Sequence, residues 1–147
     1  MQYFGSGRTE EQTLSIILGS SEYFNRVAPL VVGGGATASA QTFVRALYID
    51  LLKRQADPNG LAFWTQQTQQ FGPQAVAFSF LRLSEYRVLQ VQSYYVTLLR
   101  HSSPPPANDG GVQFWANQSG LDLLAIRIQF EATPEFYQVW VNFNGAP

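Results

Sequence analysis

Cysteine is absent from the 147-residue chain, and histidine occurs only once, at His101. The lack of cysteine excludes disulfides, thiolate catalysis and cysteine-ligated zinc. Catalytic and metal sites usually need histidine, cysteine or converging carboxylates. Ser102 and Ser103 follow His101, but adjacency in sequence is not the spatial arrangement that a catalytic triad requires. We therefore expect a protein that is not an enzyme, with no catalytic residue, no metal and no cofactor.

Charged residues are also scarce. They make up 13% of the chain, against about 25% in typical proteins, and the net charge is −1. Binding to nucleic acid requires clustered Lys and Arg, whereas the basic residues here are scattered singly, so a nucleic-acid partner is excluded. The surface must be largely uncharged polar or aromatic. Such a surface favours contact with other protein subunits or domains, including self-association.

Long apolar runs are missing as well. No stretch approaches the roughly 20 apolar residues of a membrane-spanning helix, so we expect no transmembrane segment. Residues Met1 to Gly7 lack the charged start and the apolar stretch of a secretory signal. We therefore expect no signal sequence in this chain, and the residues alone indicate no compartment.

A short motif is repeated along the chain. Ser-Glu-Tyr occurs at residues 21–23 and 84–86, and Pro-Glu-Phe at 134–136 is a degenerate third copy. An apolar residue lies four positions before each copy: Ile17, Phe80 and Phe130. The second and third copies also follow a longer matching segment, which pairs Tyr48 with Tyr95, Leu51 to Arg54 with Leu98 to His101, Gly60 with Gly111, and Trp64 with Trp115.

These matches predict four segments. Residues 1–27 form a partial repeat unit that has only the rear half, and residues 28–40 form a linker around three consecutive glycines. Residues 41–91 and 92–147 form two full units, the second of them divergent. The missing front half of the first unit indicates either a fragment of a longer repeat protein or a segment that completes a bundle by packing on its neighbours.

Helical periodicity and helix-start signals run through both full units. Phe43, Leu47 and Leu51 recur at helical spacing, Asp57 before a proline is an N-cap signal, and Gly72 before a proline ends the next helix. Few segments alternate apolar and polar residues. We therefore predict an all-α fold, a helical bundle of repeated units of about four short helices, with loops and no substantial sheet. Structural roles are expected for Phe43, Leu47, Leu51, Phe80, Ser84, Glu85, Tyr86, Phe130, Glu135 and Phe136.

Polar residues of the motif have predicted roles at helix ends. Glu22, Glu85 and Glu135 share one place in successive units, which indicates a helix-start role for each and not an acidic cluster. Ser84 is expected to cap the helix that Glu85 begins, and His101 to be a cation at a helix C-terminus.

Two loops and two tryptophans supply the candidate binding residues. The loops superficially resemble calcium loops, but the twelfth position from Asp57 is Thr68 and not the Glu of an EF-hand. Helix caps and turns explain the loops better, and only a weak, irregular calcium site is left open. The tryptophans are expected to be core anchors; a sugar-stacking platform, which Trp140 and Tyr137 could join, is the alternative. The candidate residues are Asp57, Asn59, Trp64, Asn108, Asp109 and Trp115.

The middle unit resembles the domain-of-unknown-function 4214 family, a repeated bacterial helical module. The likeness rests on Phe-Val-Arg-Ala-Leu-Tyr-x-x-Leu-Leu at 43–52, Asp-Pro-x-Gly-Leu-Ala-x-Trp at 57–64 and Phe-Leu-x-x-Ser-Glu-Tyr-Arg at 80–87. The third unit departs from it by inserting three prolines at 104–106 and by its Pro-Glu-Phe.

This resemblance implies a non-enzymatic module with no known ligand. Several such modules commonly occur in one large secreted or surface-associated bacterial protein, and some of these proteins also carry calcium-binding repeats. This resemblance is the only ground for expecting an extracellular or cell-surface location. A remoter likeness in layout is to the linker domains of phycobilisomes, helical units that hold antenna proteins together, although those are typically basic.

Two functions remain as hypotheses. The first is a protein-interaction or assembly module of a multidomain bacterial surface or secreted protein, suggested by the repeat, the low charge and the missing catalytic groups. The alternative is a glycan-binding module for cell-surface or extracellular polysaccharide, suggested by the aromatic and amide-rich composition. The amides include Gln66, Gln67, Gln69 and Gln70.

Overall fold

The computed structural model describes residues 7–144. Within this range the chain forms α-helices and one π-helical turn, with no strand, so the predicted all-α class is confirmed. None of the described helices combines the length and the apolar character needed to cross a membrane. The elements are α1 (Glu10–Leu18), the π-helical turn (Tyr23–Val27), α2 (Ala28–Val32), α3 (Ala40–Leu52), α4 (Pro58–Phe71), α5 (Pro73–Leu81), α6 (Ser84–Thr97), α7 (Gly110–Ala116), α8 (Leu123–Glu131) and α9 (Pro134–Asn144).

The described helices form two compact units, one that ends at Tyr86 and one that begins at Arg87. The segments predicted as partial repeat, linker and middle unit therefore belong to one unit. The boundary between the compact units lies after Tyr86, whereas the repeat boundary predicted from the sequence lies after Val91. The reason is that α6 is one continuous helix in which the repeated motif runs directly into the front segment of the next unit.

The core of the first unit is built around α3. Phe43 and Leu47 are fully buried there, and α3 packs against α2, α4 and α5. Ser39 begins the helix, because its hydroxyl accepts a hydrogen bond from the Thr42 N–H at 3.1 Å. Leu51 is only partly buried. Each step of four residues turns about 40° beyond a full circle, so a side chain eight positions after Phe43 has rotated away from the core.

Part of the predicted linker is helical, which corrects its assignment. The π-helical turn runs directly into α2, and Ala28 is fully buried where α2 packs on α3. Pro29 explains the wide turn, because its ring crowds the carbonyl four residues earlier and it has no N–H to donate. Gly33 ends α2 with φ 74°, and the non-helical part of the segment covers only residues 33–39.

The rear-half segment at the start of the chain packs within its own unit. Its helix α1 begins with a capping box, in which Thr9 and Gln12 bond to each other's backbone N–H groups at 3.1 and 2.9 Å. The helix then packs on α5. Gly19 makes the close approach possible, since a Cβ at that position would overlap the backbone of Gln74.

The helix α6 begins one residue earlier than expected, at the first residue of the repeated motif. Ser84 is the first helical residue of α6 and not its cap. The capping position is the residue before the motif: the Ser20 hydroxyl accepts from the Tyr23 N–H at 3.2 Å, and the Thr133 hydroxyl from the Phe136 N–H at 3.3 Å. Before α6 this position is leucine, which has no side-chain acceptor.

The second unit is organised around Arg87 of α6. Although its side chain is only 5% exposed, the guanidinium donates to three carbonyls, those of Ala116 and Gln118 at 2.9 Å and of Leu121 at 3.1 Å. These carbonyls lie at the end of α7 and in the following loop, where the helix supplies no further donors. Arg87 thereby holds the connection between α7 and α8 against α6.

Candidate functional site

Each of the two compact units contains the same cluster of three aromatic rings. In the first unit, Phe80 of α5 is fully buried, and its ring centroid lies 5.3 Å from that of Tyr48 and 4.9 Å from that of Trp64. The tyrosine meets the phenylalanine edge to face, which is a favourable arrangement of aromatic rings. One ring from each of α3, α4 and α5 thus closes this part of the core.

The second unit repeats the cluster with Phe130 at its centre. This side chain is 1% exposed, and its ring lies 5.0 Å from Tyr95 and 5.6 Å from Trp115. Trp64 and Trp115 are half-buried, so each combines a packed side with a partly exposed one. The packed side suits the predicted role of core anchor, and the partly exposed side is the one that the stacking alternative requires.

A glycine in each unit makes room for the tyrosine hydroxyl. A Cβ at Gly60 would overlap the Tyr48 Oη, and a Cβ at Gly111 would overlap the Tyr95 Oη. Neither glycine has a positive φ, so the requirement is for space and not for backbone freedom. The matched Tyr and Gly positions in the sequence are therefore in direct contact in both units.

The turn after α3 places a charged side chain over the same tyrosine. Lys53 adopts a left-handed conformation with φ 57°, and the following N–H of Arg54 bonds back to the Tyr48 carbonyl at 3.3 Å. The Arg54 guanidinium then lies 5.0 Å from the centre of the Tyr48 ring. The chain makes the same turn after α6, where Arg100 has φ 60° and the next N–H bonds to the Tyr95 carbonyl at 3.0 Å.

Arg54 joins the end of α3 to the start of α6. Its Nε and Nη2 atoms donate to the two carboxylate oxygens of Glu85 at 2.6 and 3.0 Å, and its Nη1 lies 3.6 Å from Asp57. The hydrogen bonds with Glu85 raise the pKa of Arg54, so the guanidinium stays charged. Glu85 therefore has a helix-start position, as predicted, and in addition a partner 31 residues earlier.

His101 and Glu135 form the equivalent pair in the second unit. His101 Nε2 lies 2.7 Å from a carboxylate oxygen of Glu135, and the imidazole ring lies 5.4 Å from the Tyr95 ring. Both side chains are exposed. One unit thus uses an arginine, and the other a histidine, at the same place.

The tyrosine hydroxyls of both clusters are held in the neutral state. Burial raises the pKa of Tyr48, and the negative charge of Asp57 adds to this effect. Burial also raises the pKa of Tyr95, with a further increase from Asp109. The clusters therefore present no ionised phenol at neutral pH. The carboxylates of Asp57 and Asp109 beside the tyrosines accept hydrogen bonds from the first N–H groups of helices.

The two candidate calcium loops contain helix caps. Asp57 accepts from the Gly60 N–H at 2.8 Å, and this bond is the main cause of the lowered pKa of its carboxyl group. Asp109 accepts from the Gly111 and Val112 N–H groups at 2.9 and 3.2 Å. The other two candidates, Asn59 and Asn108, are exposed. Across residues 7–144, no group of three or more His, Asp or Glu side chains is arranged to hold a metal ion.

Sequence reasoning paired the right positions and missed the contacts between them. It assigned Glu85, His101 and Glu135 to separate helix ends, matched Arg54 only with His101, and did not connect the acids with the basic residues. The signal was present, because each acid and its basic partner keep the same order around the aromatic cluster in both units. The three carbonyl contacts of the buried Arg87 had no comparable signal in the sequence.

Exposed apolar side chains mark surfaces outside the clusters. On α9, Tyr137, Trp140 and Phe143 are 54%, 45% and 70% exposed, and they follow one another at every third position. In the first unit, an open groove of about 600 Å³ lies among α1, α4 and α5. Its lining combines two aromatic rings with polar side chains: Phe71, Phe78, Arg8, Gln12, Ser15 and Gln74.

These features define a repeated helical module in which a Tyr, Trp and Phe cluster closes each unit. Residues 31–87 match the model of the family described as "Domain of unknown function (DUF4214)", which is the family that the motifs of the middle unit predicted. The match runs from α2 to the start of α6 and so includes the whole first cluster. No curated protein and no solved structure matches the chain.

Proposed function

We propose that this protein is a non-catalytic protein-interaction or assembly module that acts as part of a larger bacterial surface or secreted protein. The cellular location in this proposal comes from the family resemblance. The observation that carries the interaction role is the aromatic face of α9, formed by Tyr137, Trp140 and Phe143.

The composition of α9 supports this role. The helix has 11 residues, of which only Glu135 is charged, and three large aromatic side chains are exposed along it. Aromatic residues are enriched at the centres of protein interfaces, where charged residues are depleted. The Arg100 guanidinium lies 5.0 Å from the centre of the Phe143 ring, and the side chains of the face are nevertheless 45% to 70% exposed. An exposed aromatic face of this kind is typical of a surface that binds a protein partner.

Photocrosslinking in the cells that make the protein tests this proposal. A photoreactive amino acid replaces Phe143 in one variant and Gln138 in the other. Position 138 is the control, because Gln138 is also exposed and lies on the opposite side of α9. We expect protein adducts from position 143 and not from position 138. Absence of protein adducts at position 143 would contradict the proposed role of this face.

Glycan binding is the second candidate, and the groove among α1, α4 and α5 favours it. Phe71 is 60% exposed beside the amides of Gln12 and Gln74, a combination that suits the faces and hydroxyls of a sugar. Screening on a glycan array should then give binding that Phe71→Ala abolishes. Phe63→Ala is the matched control, since Phe63 is 52% exposed and does not line the groove.

A further inference from the structure

The groove among α1, α4 and α5 is positively charged. Of the described residues that line it, only Arg8 carries a charge, and no carboxylate is among them. Glu10 and Glu11 belong to the same helix but lie outside this lining. Burial raises the pKa of Tyr86, and the charges of these two acids add to the effect, so they lie close to that hydroxyl. The groove therefore presents a cation to its occupant.

The start of α1 fixes the backbone next to Arg8. This residue directly precedes Thr9, the N-cap of the helix, whose N–H bonds to the Gln12 side chain at 2.9 Å. The Arg8 side chain is exposed. A guanidinium has five N–H donors in a planar fork, so a contact with one protein group leaves other donors for a ligand. The fork matches the two oxygens of a carboxylate.

The helices α4 and α5 contribute aromatic rings to the same groove. Phe71, the last residue of α4, is 60% exposed, and Phe78 of α5 is partly buried. The Arg82 guanidinium lies 5.8 Å from the centre of the Phe78 ring, which places a second positive charge next to the groove. An exposed aromatic ring offers an apolar surface to the C–H face of a sugar. The lining thus combines a cation with a surface for a flat apolar face.

We propose that this groove binds an acidic polysaccharide, with the carboxylate of a uronic acid unit on Arg8 and the face of a sugar ring on Phe71. The inference rests on the glycan candidate above and adds the chemical class of the sugar. A neutral glycan would bring no counter-charge to Arg8, and a chain of acidic side chains would bring no flat apolar face to Phe71. The volume of about 600 Å³ lies within the range of roughly 300 to 1,000 Å³ that is usual for ligand sites.

Biolayer interferometry of the whole chain on immobilised polymers tests this proposal. Polygalacturonate is the acidic probe, and its methyl ester is the neutral one, because it has the same sugar without the charge. We expect the wild type to bind polygalacturonate about tenfold more tightly, the effect of one hydrogen-bonded charge. Added salt should weaken this binding and leave binding to the ester unchanged. Poly-glutamate, which carries the charge without the sugar, should not bind.

Three variants assign the binding to residues. Arg8→Gln should lower the affinity for polygalacturonate to that for the ester, about tenfold, and leave ester binding unchanged, which also shows that the variant is folded. Arg45→Gln is the matched control, because Arg45 is an exposed arginine of the same unit outside the lining. It removes the same charge and should bind as the wild type does. Phe71→Ala should lose binding to both polymers.

Equal wild-type affinity for the two polymers would overturn the acidic class, and so would wild-type affinity of Arg8→Gln for polygalacturonate. If Phe71→Ala still loses binding in either case, the groove remains a glycan site without a preference for charge. Poly-glutamate binding as strong as that of polygalacturonate would overturn the assignment to a sugar. Absence of binding to both polysaccharides would also overturn the proposal, whereas binding of neutral glycans through Phe71 on the array would leave the glycan candidate standing.

Discussion

Arg54 and Glu85 form a two-bond ion pair that connects the end of α3 to the start of α6, with atoms 2.6 and 3.0 Å apart. The helices α4 and α5 lie between these two residues in the sequence, so the ion pair brings the two ends of this segment of the middle repeat together. His101 and Glu135 close the next repeat in the same way. The recurrence of this contact with a different basic residue argues that it serves the fold, because the side chains of arginine and histidine differ in shape and chemistry and have the carboxylate contact in common.

Gly60→Ala and Gly111→Ala should each destabilise their unit by about 1 to 3 kcal/mol, the usual cost of overpacking a filled site. The new methyl group would collide with a tyrosine hydroxyl in each case. Gly110→Ala is the control, because a Cβ there meets nothing within 4 Å. Urea unfolding measures the difference, and equal stability of all three variants would refute the assigned contact.

Trp64→Ala and Trp115→Ala should each cost about 3 kcal/mol of unfolding free energy, since each removes a large ring that packs against a buried phenylalanine. Their exposed neighbours Phe63 and Phe114 provide matched controls, for which the loss should stay below about 1 kcal/mol. Thermal and urea unfolding of the four variants give the comparison. Unchanged melting of the tryptophan variants, together with lost glycan binding, would instead assign the rings to a sugar site.

Tyr86→Phe should flatten the alkaline limb of the stability profile. Burial, with smaller contributions from Glu10 and Glu11, raises the pKa of Tyr86 from 10.0 to about 12 in the folded protein. The neutral phenol therefore contributes stability that is complete below pH 10 and is lost as the pH rises from 10 to 12. Phenylalanine cannot ionise, and it already occupies the equivalent position at Phe136, so it should fit.

The test for Tyr86 is unfolding free energy measured at intervals from pH 8 to pH 12, a range in which other phenols also titrate. The unfolding free energies of the wild type and of Tyr86→Phe should change with pH at the same rate below pH 10 and at different rates above it. Parallel curves throughout would show that Tyr86 ionises equally in the folded and unfolded chains.

Calcium should not raise the melting temperature beyond the effect of sodium chloride at equal ionic strength. Asp57 and Asp109 already accept backbone hydrogen bonds as helix caps, and the asparagines beside them complete no ligand set. Thermal unfolding with and without a chelator checks this. A specific rise that Asp109→Ala abolishes would establish a calcium site and contradict the expectation.

Local signals in the sequence were sufficient for most helices and for the repeat. Asp57 caps α4, Gly72 ends it, and the spacing of Phe43 and Leu47 puts both in the core. Such signals involve neighbours within a few residues, so they operate before any tertiary contact forms. The same residues carried the family resemblance that the match over residues 31–87 confirmed.

The helical character of Ala28–Val32 could not be predicted in this way. A stretch beside three glycines has the composition of a linker, and its helix is accompanied by the burial of Ala28 where α2 packs on α3. The partners of Arg87 were likewise out of reach, because they are backbone carbonyls about 30 residues further along, which carry no residue-specific pattern.

The sequence by itself determined which positions are equivalent, and the tertiary structure decided which of them are buried. Ile17, Phe80 and Phe130 occupy one place in three copies of a motif, yet Ile17 is 58% exposed and the two phenylalanines are buried. Helix formation depends on hydrogen bonds between near neighbours, so the repeat pattern was enough to locate it. Burial depends on whether another helix lies across the face, and that is a property of the assembled units, which the spacing of residues along one helix does not contain.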